Sequence, residues 1–341
     1  MIDIIFNEEG NKWNRTIRNM EHYDFYFFNS YQPEDEKSVL ICFKEEGYSI
    51  SLPLIIRPIK NTNYFDATSV YGYGGPLYSK ASIPERIIKK FNSSIKKCFK
   101  DLKVISVFSR LHPLMKQQDH FLNVGNVVSL GETISIDLTL SLEEQRSQYR
   151  RRLKSRLNKL RRSDLYVFED SNFEHIDEFI KLYHETMYRV GADSSYFFDR
   201  DYFNKLFLSD DIDARLYFVK DGDKFISAGI FTYTDGIIEY HLSGTKTKYL
   251  KVSPLELLID HVRIYGTNQG YKNLHLGGGV GSKEDNLFHY KAGFSKSRNT
   301  FKIWKYIANK KVYQSLIKKI DISKSDNFFP LYRSKNLQLV S

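Results

Sequence analysis

The sequence predicts an α/β protein built on a mixed sheet with helices on both faces. From residue 130 onward the predicted order is strand, helix, helix, three strands, helix, strand, a glycine-rich loop and a last strand, which is typical of such a sheet. The length of 341 residues suggests two domains, and a hydrophobic content of 41% is sufficient for their cores. We expect a first domain over 1–130, with 310–341 as a candidate completion, and a second over 131–309.

The first half of the sequence predicts an antiparallel pair of strands, followed by a helix and another strand. Strands are expected at 39–45 and 48–56, joined by the turn signal Glu46-Gly47, with Pro58 ending the second. A helix is expected from Glu85 to about Lys100, because its apolar residues recur at helical spacing. A strand over 103–108 follows.

Two segments of this half are candidates for substrate binding. The loop 66–78 interleaves tyrosines with glycines, so Tyr71 and Tyr73 either bind a flat ring or a phosphate, or form a tight turn. Arg110 and His112 are expected just past a strand end, where ligands often bind in open α/β sheets. The alternative is that both residues only cap a loop.

A strongly basic helix is predicted after the strand at 132–137. Ser141 is a candidate N-cap, and glutamates at 143 and 144 suit the helix dipole. Like charges at i,i+4 repel one another, which favours an anionic partner, with Arg151 and Arg152 as candidate substrate contacts. The alternative is that the basic side of this helix is only exposed to solvent. Its cations are Arg146, Arg150, Arg151, Arg152, Lys154, Arg156, Lys159, Arg161 and Arg162.

The second half predicts alternating strands and helices up to a lysine-rich tail. Turn signals at 221–223 and 235–236 join neighbouring strands. Strands are expected at 167–169, 215–219, 225–233, 237–243, 274–276 and 301–306. Helices are expected at 176–188, 202–208 and 255–266, and a helix with an irregular end at 312–341.

A glycine-rich loop is the strongest candidate site. The strand that ends at residue 276 runs into Gly277, Gly278 and Gly279, whose backbone N–H groups can approach a ligand closely. An aromatic-rich segment then leads to Tyr290 and Lys291, which add a cation near the glycines. A flexible hairpin or a bulge is the alternative.

Charge and composition narrow the class of protein. A net charge of +10 and a pI near 9.2 favour anionic partners, although a coding bias toward lysine is an alternative. Cys42 and Cys98 lie in apolar contexts and suit a reducing compartment, and no cysteine–histidine metal spacing occurs. The N-terminus lacks the pattern of a signal peptide, and no apolar run approaches about 18 residues. We expect a soluble, cytoplasmic protein without a metal.

Four segments carry a resemblance to a known family. They are RSQYRRRLKSRLNKLRRSDLYVFED, the strand at 225–233 with its Ala228-Gly229, the segment YHLSGTKTKYLKVSPLELLIDHVRIYGTNQGYKNLHLGG, and LFHYKAGF. Their order resembles the acetyltransferase fold known as GNAT. In detail the chain is similar to the Fem family, the aminoacyl transferases of peptidoglycan bridge synthesis, and to the broader FemAB-like acyltransferases. The loop YGYGGP resembles one in FemAB-like proteins of surface polysaccharide synthesis.

The resemblance implies two tandem GNAT-like domains and a cleft for a nucleotide-linked or lipid-linked precursor. It implies a role near the reacting acyl group for Lys291, with Tyr290 before it. It also implies an acyl donor, acyl-CoA or aminoacyl-tRNA, as a co-substrate rather than a tightly bound cofactor. The donor contacts expected are Lys246, Lys248, Lys251, Gly277, Gly278 and Gly279. The three lysines suit phosphates, but the glycines that shape an acetyl-CoA turn are missing around them.

The chemistry expected is direct attack of an amine on the donor carbonyl, because no Ser-His-Asp or Cys-His order is visible. Lys291 is the candidate for stabilising the oxyanion. His241 is a candidate for proton transfer, or else a packed histidine. We therefore expect an N-acyltransferase acting on a cell-envelope glycan precursor, with tRNA and an anionic membrane surface as further partners. The alternative is a non-catalytic RNA- or phosphate-binding protein that retains the fold.

Overall fold

The computed structural model describes residues 2–115, 124–318 and 328–334. The chain divides into two compact units, Met1–Leu130 with Thr300–Ser341, and Gly131–Asn299. The chain therefore returns to the first unit at residue 300 rather than at 310. The reason is that the strand Arg298–Ile307 pairs antiparallel with Val104–Leu111, which belongs to the first unit. Among the described residues, no helix is long and apolar enough to cross a membrane.

The strands and helices are numbered in chain order. The strands are β1 Ile2–Phe6, β2 Lys37–Glu45, β3 Tyr48–Pro58, β4 Phe65–Thr68, β5 Leu77–Tyr78, β6 Val104–Leu111, β7 Asn126–Asp137, β8 Leu165–Glu169, β9 Asp213–Asp221, β10 Lys224–Thr234, β11 Ile237–Thr245, β12 Asn273–Gly277 and β13 Arg298–Ile307. The helices are α1 Gly10–Arg18, α2 Glu85–Asp101, α3 Leu142–Ser147, α4 Arg151–Leu160, α5 Ile176–Val190, α6 Arg200–Phe207, α7 Leu255–Asn268, α8 Asn286–Lys291 and α9 Lys310–Ile317.

The first unit contains a mixed sheet in the order β1-β2-β3-β4-β6-β13, with β5 paired to β3. The predicted hairpin joins β2 and β3, and its two turn residues, Glu46 and Gly47, both have positive φ. Strands β4 and β6 run parallel. Helix α2 packs its apolar side, including Ile87, Phe91 and Ile95, into the hydrophobic core of this sheet.

The second unit contains a mixed sheet in the order β7-β12-β11-β10-β9-β8, in which β11 and β12 are the parallel pair. Side chains alternate between the faces of a strand. Tyr217 and Val219 of β9 therefore join one hydrophobic core with residues of α4, α7 and α8. Helix α5 packs on β10 and β11. Its backbone approaches so closely that a Cβ at Gly244 would lie 2.4 Å from the carbonyl of Leu182.

The structure differs from the sequence prediction in the basic segment. A single helix was expected through residues 146–162, but the chain forms α3 and α4 with a break between them. Ser141 caps α3, as predicted. At the break Arg150 is extended, and its N–H donates to the carbonyl oxygen of Gly293 at 2.9 Å. Tyr149 turns inward and donates to Asp260 Oδ1 at 2.9 Å, so tertiary contacts interrupt a continuous helical pattern.

Two further differences concern candidate site residues. No helix was predicted in the aromatic-rich segment 288–291, but residues 286–291 form α8, so Lys291 is the last residue of a helix. Arg110 was expected past the end of a strand, but β6 extends to Leu111 because residues 106–111 pair with β13. Arg110 is therefore a strand residue, and His112 directly follows the strand.

Candidate active site

Strands β11 and β12 separate part of the way along their length. They pair in parallel only at Ile237–Asn273, Ile238–Leu274 and Glu239–His275. Beyond that point β11 continues to Thr245, whereas β12 pairs with β7 through an irregularity between His275 and Gly277. The hydrogen-bonded ladder between the two strands therefore stops at Glu239 and His275. We call the region beyond it the strand opening.

Lys291 lies at the strand opening. Its Nζ donates to the carbonyl oxygen of Gly278 at 2.8 Å, and the residue is only 9% exposed. Burial lowers the pKa of Lys291 to about 8, because a desolvated ammonium is disfavoured, while the negative charges of Glu239 and Asp285 raise it. The ammonium form therefore predominates at neutral pH, but the group titrates close to that range.

Two of the three glycines, Gly277 and Gly279, make room for this lysine and for the loop that follows. Gly277 has φ of 76°, and a Cβ there would lie 3.2 Å from Lys291 Nζ. A Cβ at Gly279 would lie 2.1 Å from the carbonyl oxygen of Lys283 and 2.3 Å from Asp285 Oδ1. Any side chain at either position would therefore crowd the loop or the lysine.

Asp285 fixes the start of the helix that carries Lys291. Its carboxylate accepts from the backbone N–H of Phe288 at 2.9 Å and of Val280 at 3.1 Å. Burial raises the pKa of Asp285, but the backbone N–H groups together outweigh it and leave the pKa below its usual value. The carboxylate is thus charged at neutral pH and sets the position of α8 by capping it.

A buried Glu239–His275 pair occupies the point where the strands part. His275 Nδ1 lies 2.9 Å from both carboxylate oxygens of Glu239, and both side chains are almost fully buried. Sequence reasoning missed this pair. The available signal was a titratable residue within each of two largely apolar strands, Glu239 in IIEYHL and His275 in NLHLG. The parallel register brings these residues together although they are 36 positions apart.

Two tyrosines near the strand opening keep their protons. Tyr290 Oη is buried and makes no hydrogen bond with any residue that the structure describes. Tyr240 Oη donates to Ser243 Oγ at 2.5 Å. Burial raises the pKa of Tyr240 to about 12 and the pKa of Tyr290 well above its usual value. Both side chains are therefore phenol O–H donors, and Tyr290 has a donor available for a ligand.

His241 follows Tyr240 on β11 and therefore points to the opposite face of the sheet. Its Nε2 lies 2.7 Å from Tyr202 Oη on α6. Burial lowers the pKa of His241 to about 4, with the charge of Glu239 acting in the other direction. The ring is thus neutral and a weak base at pH 7, which makes it a poor acceptor for a proton from an amine.

The turn between β11 and α7 holds the predicted lysines, but most of its backbone donors are already used. Lys248 and Lys251 are exposed and Lys246 is half-buried. The N–H groups that donate within the chain are those of Lys246, Thr247, Tyr249, Leu250, Val252, Ser253, Glu256, Leu257 and Leu258. In the first turn of α7 the buried carboxylate of Glu256 forms an ion pair with Arg156. A negative charge of the chain itself therefore already sits at the positive end of this helix.

The predicted substrate contacts lie in different parts of the chain. In the first unit, the rings of Tyr73 and His112 are 5.1 Å apart, and His112 Nε2 lies 2.9 Å from Asp24 Oδ2 with both side chains buried. Arg110 lies over the ring of Phe108, and Tyr71 is 42% exposed. In the second unit, Arg151 and Arg152 are exposed at the start of α4. The structure therefore brings Tyr73 and His112 together, and the roles of all these residues stay predictions.

Comparisons with known proteins agree with this geometry. Residues 147–292 match the acetyltransferase (GNAT) domain family. The structure is similar to that of FemX, with 13% identity, a TM-score of 0.70, and coverage of 92% of this chain and 99% of that one. A conserved protein of unknown function from Bacteroides thetaiotaomicron aligns with 8% identity, a TM-score of 0.59, and coverage of 90% and 100%.

A further similar structure is the C-terminal domain of a putative lysylphosphatidylglycerol synthetase from Agrobacterium fabrum. It aligns with 13% identity, a TM-score of 0.55, and coverage of 87% of this chain and 91% of that one. At such identities these structures show a shared fold. No curated protein matches the sequence.

Residues 147–292 therefore contain an acetyltransferase (GNAT) domain, and the parted parallel strands lie within it. The chain is an acyltransferase, and its fold is of the FemABX-like GNAT type, which confirms the resemblance predicted from the sequence. The alternative of a non-catalytic binding protein is therefore not supported. The GNAT fold normally uses an acyl donor, acyl-CoA, as a co-substrate.

Proposed function

We propose that this acyltransferase moves an aminoacyl group from aminoacyl-tRNA to an amino group of a cell-envelope glycan precursor. The precursor is nucleotide-linked or lipid-linked and belongs to surface polysaccharide or peptidoglycan synthesis. The observation that carries the proposal is the buried ammonium of Lys291, held at the strand opening by Gly278. We also propose that each compact unit is a GNAT-like domain and that the second carries the reaction.

Direct transfer needs a neutral amine, a reachable carbonyl and a stabilised oxyanion. The amine nitrogen forms a bond to the ester carbonyl carbon, the bond from that carbon to the ribose oxygen breaks, and the amine proton ends on the ribose hydroxyl. Lys291 is suited to the oxyanion, because its ammonium is desolvated and its present acceptor is a neutral carbonyl oxygen that a charged oxygen outcompetes. The phenol of Tyr290, the preceding residue, is a further donor whose O–H has no acceptor among the described residues.

The turn before α7 supports an aminoacyl-tRNA rather than acyl-CoA. Binding of a pyrophosphate at a helix N-terminus depends on free backbone N–H groups and on the positive end of the helix dipole. In this turn the backbone N–H groups of Tyr249, Leu250 and Val252 already donate to carbonyl oxygens of the chain. The carboxylate of Glu256, paired with Arg156, further occupies the first turn of the helix. Acyl-CoA would have to displace these contacts, whereas Lys246, Lys248 and Lys251 suit phosphates approached from solvent.

The acceptor is proposed from the relatives and from charge. The Fem family that the sequence resembles consists of aminoacyl transferases of the cell envelope, and FemX is among the similar structures. A net charge of +10 suits an acceptor that carries phosphates as well as a tRNA donor. An aminoacyl-tRNA donor would place the reaction in the cytoplasm.

The proposal is tested by replacing Lys291 with alanine. We expect kcat to fall about 10²–10³-fold, the usual loss for one oxyanion donor, while the affinity for tRNA stays unchanged. The assay follows transfer of a radiolabelled amino acid from charged tRNA to a purified nucleotide-linked precursor. The matched control is Lys283→Ala, which removes an exposed lysine from the same loop.

Equal turnover of the Lys291→Ala variant and the wild type would contradict the assigned site. Transfer from acyl-CoA but not from aminoacyl-tRNA would contradict the proposed donor. Mass spectrometry of envelope glycans from a strain that lacks the protein would identify the acceptor, since the modified precursor should lose the mass of one aminoacyl group.

A further inference from the structure

An exposed group of cations surrounds the end of the helix that carries Lys291. We define the basic patch as Arg150, Arg151, Arg152 and Lys296, all of which are exposed. It is contiguous, because the turn at 148–150 contacts the turn after α8 at several points. The backbone N–H of Arg150 donates to Gly293 O at 2.9 Å, and that of Lys296 donates to Gln148 Oε1 at 3.2 Å.

The same contacts tie the basic patch to the active site. Arg150 Nη1 donates to the carbonyl oxygen of His289 at 3.1 Å, within the last turn of α8. Lys291 ends that helix, so a hydrogen bond joins the basic patch to the helix that carries the proposed oxyanion donor. A ligand that approaches Lys291 past the C-terminal end of α8 would lie beside these cations.

The residues of the patch form no ion pair within the described part of the chain, although the charge of Arg152 acts on the carboxylate of Glu256. Other cations of α4 are paired, since Arg156 and Arg161 bind the buried carboxylates of Glu256 and Asp260. In contrast, Arg151, Arg152 and Lys296 form no ion pair with any described residue.

The arrangement is also unfavourable for the isolated protein. Arg150, Arg151 and Arg152 are consecutive at the start of α4, and no acidic residue lies in the first turn. Cations there are destabilised by the positive end of the helix dipole and repel one another. An external polyanion relieves both effects. A nucleic acid carries a phosphate at every nucleotide and can therefore neutralise several arginines at once.

We infer that the basic patch binds backbone phosphates of the tRNA next to its aminoacylated end, and so guides that end to Lys291. This inference rests on the proposed aminoacyl-tRNA donor. It names the surface that holds the donor, and Arg151 and Arg152 become contacts of the donor rather than of the acceptor.

The test compares two double variants of α4 that each remove two exposed cations. Arg151→Ala/Arg152→Ala alters the basic patch, whereas Lys159→Ala/Arg162→Ala alters the other end of the helix. Binding of fluorescent, deacylated tRNA is titrated between 50 and about 200 mM salt. Each phosphate contact contributes roughly 0.7–0.9 to the slope of log K against log salt. We expect the patch variant to lower this slope by up to about 2 and the distal variant to leave it nearly unchanged.

Equal slopes for the two double variants, or no tRNA binding by the wild type, would overturn the inference. Binding to phosphatidylglycerol vesicles that depends on Arg151 and Arg152, without tRNA binding, would overturn it as well. Circular dichroism checks that both variants are folded. Because deacylated tRNA cannot react, these results are independent of the transfer assay. Binding of tRNA by the patch together with absent aminoacyl transfer would refute the proposed function, and only the assignment of the basic patch as a tRNA-binding surface would stand.

Discussion

The most direct test of the proposed chemistry is the pH dependence of transfer after Glu239 is replaced with glutamine. In the wild type the pKa of Lys291 is about 8, because burial lowers it and the charges of Glu239 and Asp285 raise it. An oxyanion donor must be protonated, so activity should decline as the pH rises through that value. The rising limb at lower pH belongs to deprotonation of the acceptor amine.

Removing the charge of Glu239 should lower the pKa of Lys291 further. A nearby carboxylate typically shifts the pKa of a cationic partner by one unit or more. We therefore expect the falling limb of the pH profile to move to lower pH by about one unit. At pH 7.5 the protonated fraction of Lys291 would then fall from about three quarters to about one quarter, a threefold loss of kcat/KM from protonation alone. Glutamine still offers an oxygen to His275 Nδ1, which limits structural disturbance.

The assay measures kcat/KM for aminoacyl transfer between pH 6 and about 9.5. Each rate is corrected for spontaneous hydrolysis of the ester donor. Glu284→Gln is the matched control, since it removes an exposed acid from the same loop and should leave both limbs in place. A falling limb that stays in place or moves upward in Glu239→Gln would refute the electrostatic role of Glu239. A rate that keeps rising through pH 8 and above in the wild type would contradict the requirement for a protonated Lys291.

Two further predictions concern stability. Arg156→Met leaves the carboxylate of Glu256 buried without its partner. The free energy of unfolding, measured with urea at pH 7, should fall by about 2–3 kcal/mol. This loss is somewhat below the usual cost of breaking a buried ion pair, because Arg156 is one-third exposed. Burial raises the pKa of Glu256, so the loss should shrink as the pH falls and the carboxyl is protonated; a loss that grows toward acid pH would contradict this. Gly244→Ala should lower the free energy of unfolding by roughly 1–3 kcal/mol, because the added Cβ meets the backbone of Leu182. The control Gly229→Ala should lower it less, because the added Cβ meets the ends of side chains at 3.2 and 3.5 Å. Equal losses in the two variants would contradict the close approach of α5.

Local patterns were sufficient to predict many elements and several turns. The apolar spacing of α2 and the Glu46-Gly47 hairpin both appear in the structure as predicted. Helix α8 was missed because it is only six residues long and half of them, Phe288, His289 and Tyr290, are aromatic residues, which are weak helix formers. It forms because Asp285 caps it and Phe288 packs into the core.

In the basic segment, the error was to predict a continuous helix where the structure has a break. Its pattern continues as a helix past residue 150, and nothing local demands a break. The break follows from contacts of Tyr149 with Asp260 and of Arg150 with Gly293, which lie more than 100 residues away in the sequence. Long-range contacts of this kind override local propensity.

The sequence alone determined the residue types available at the site: three glycines that permit close approach, a lysine after an aromatic run, and an excess of positive charge. The tertiary structure decided what those residues can do. Parallel pairing of β11 and β12 placed Glu239 beside His275, and burial lowered the pKa of Lys291. The physical reason is that desolvation and the distance between charges depend on the surroundings of a side chain, which form only when distant segments of the chain pack together.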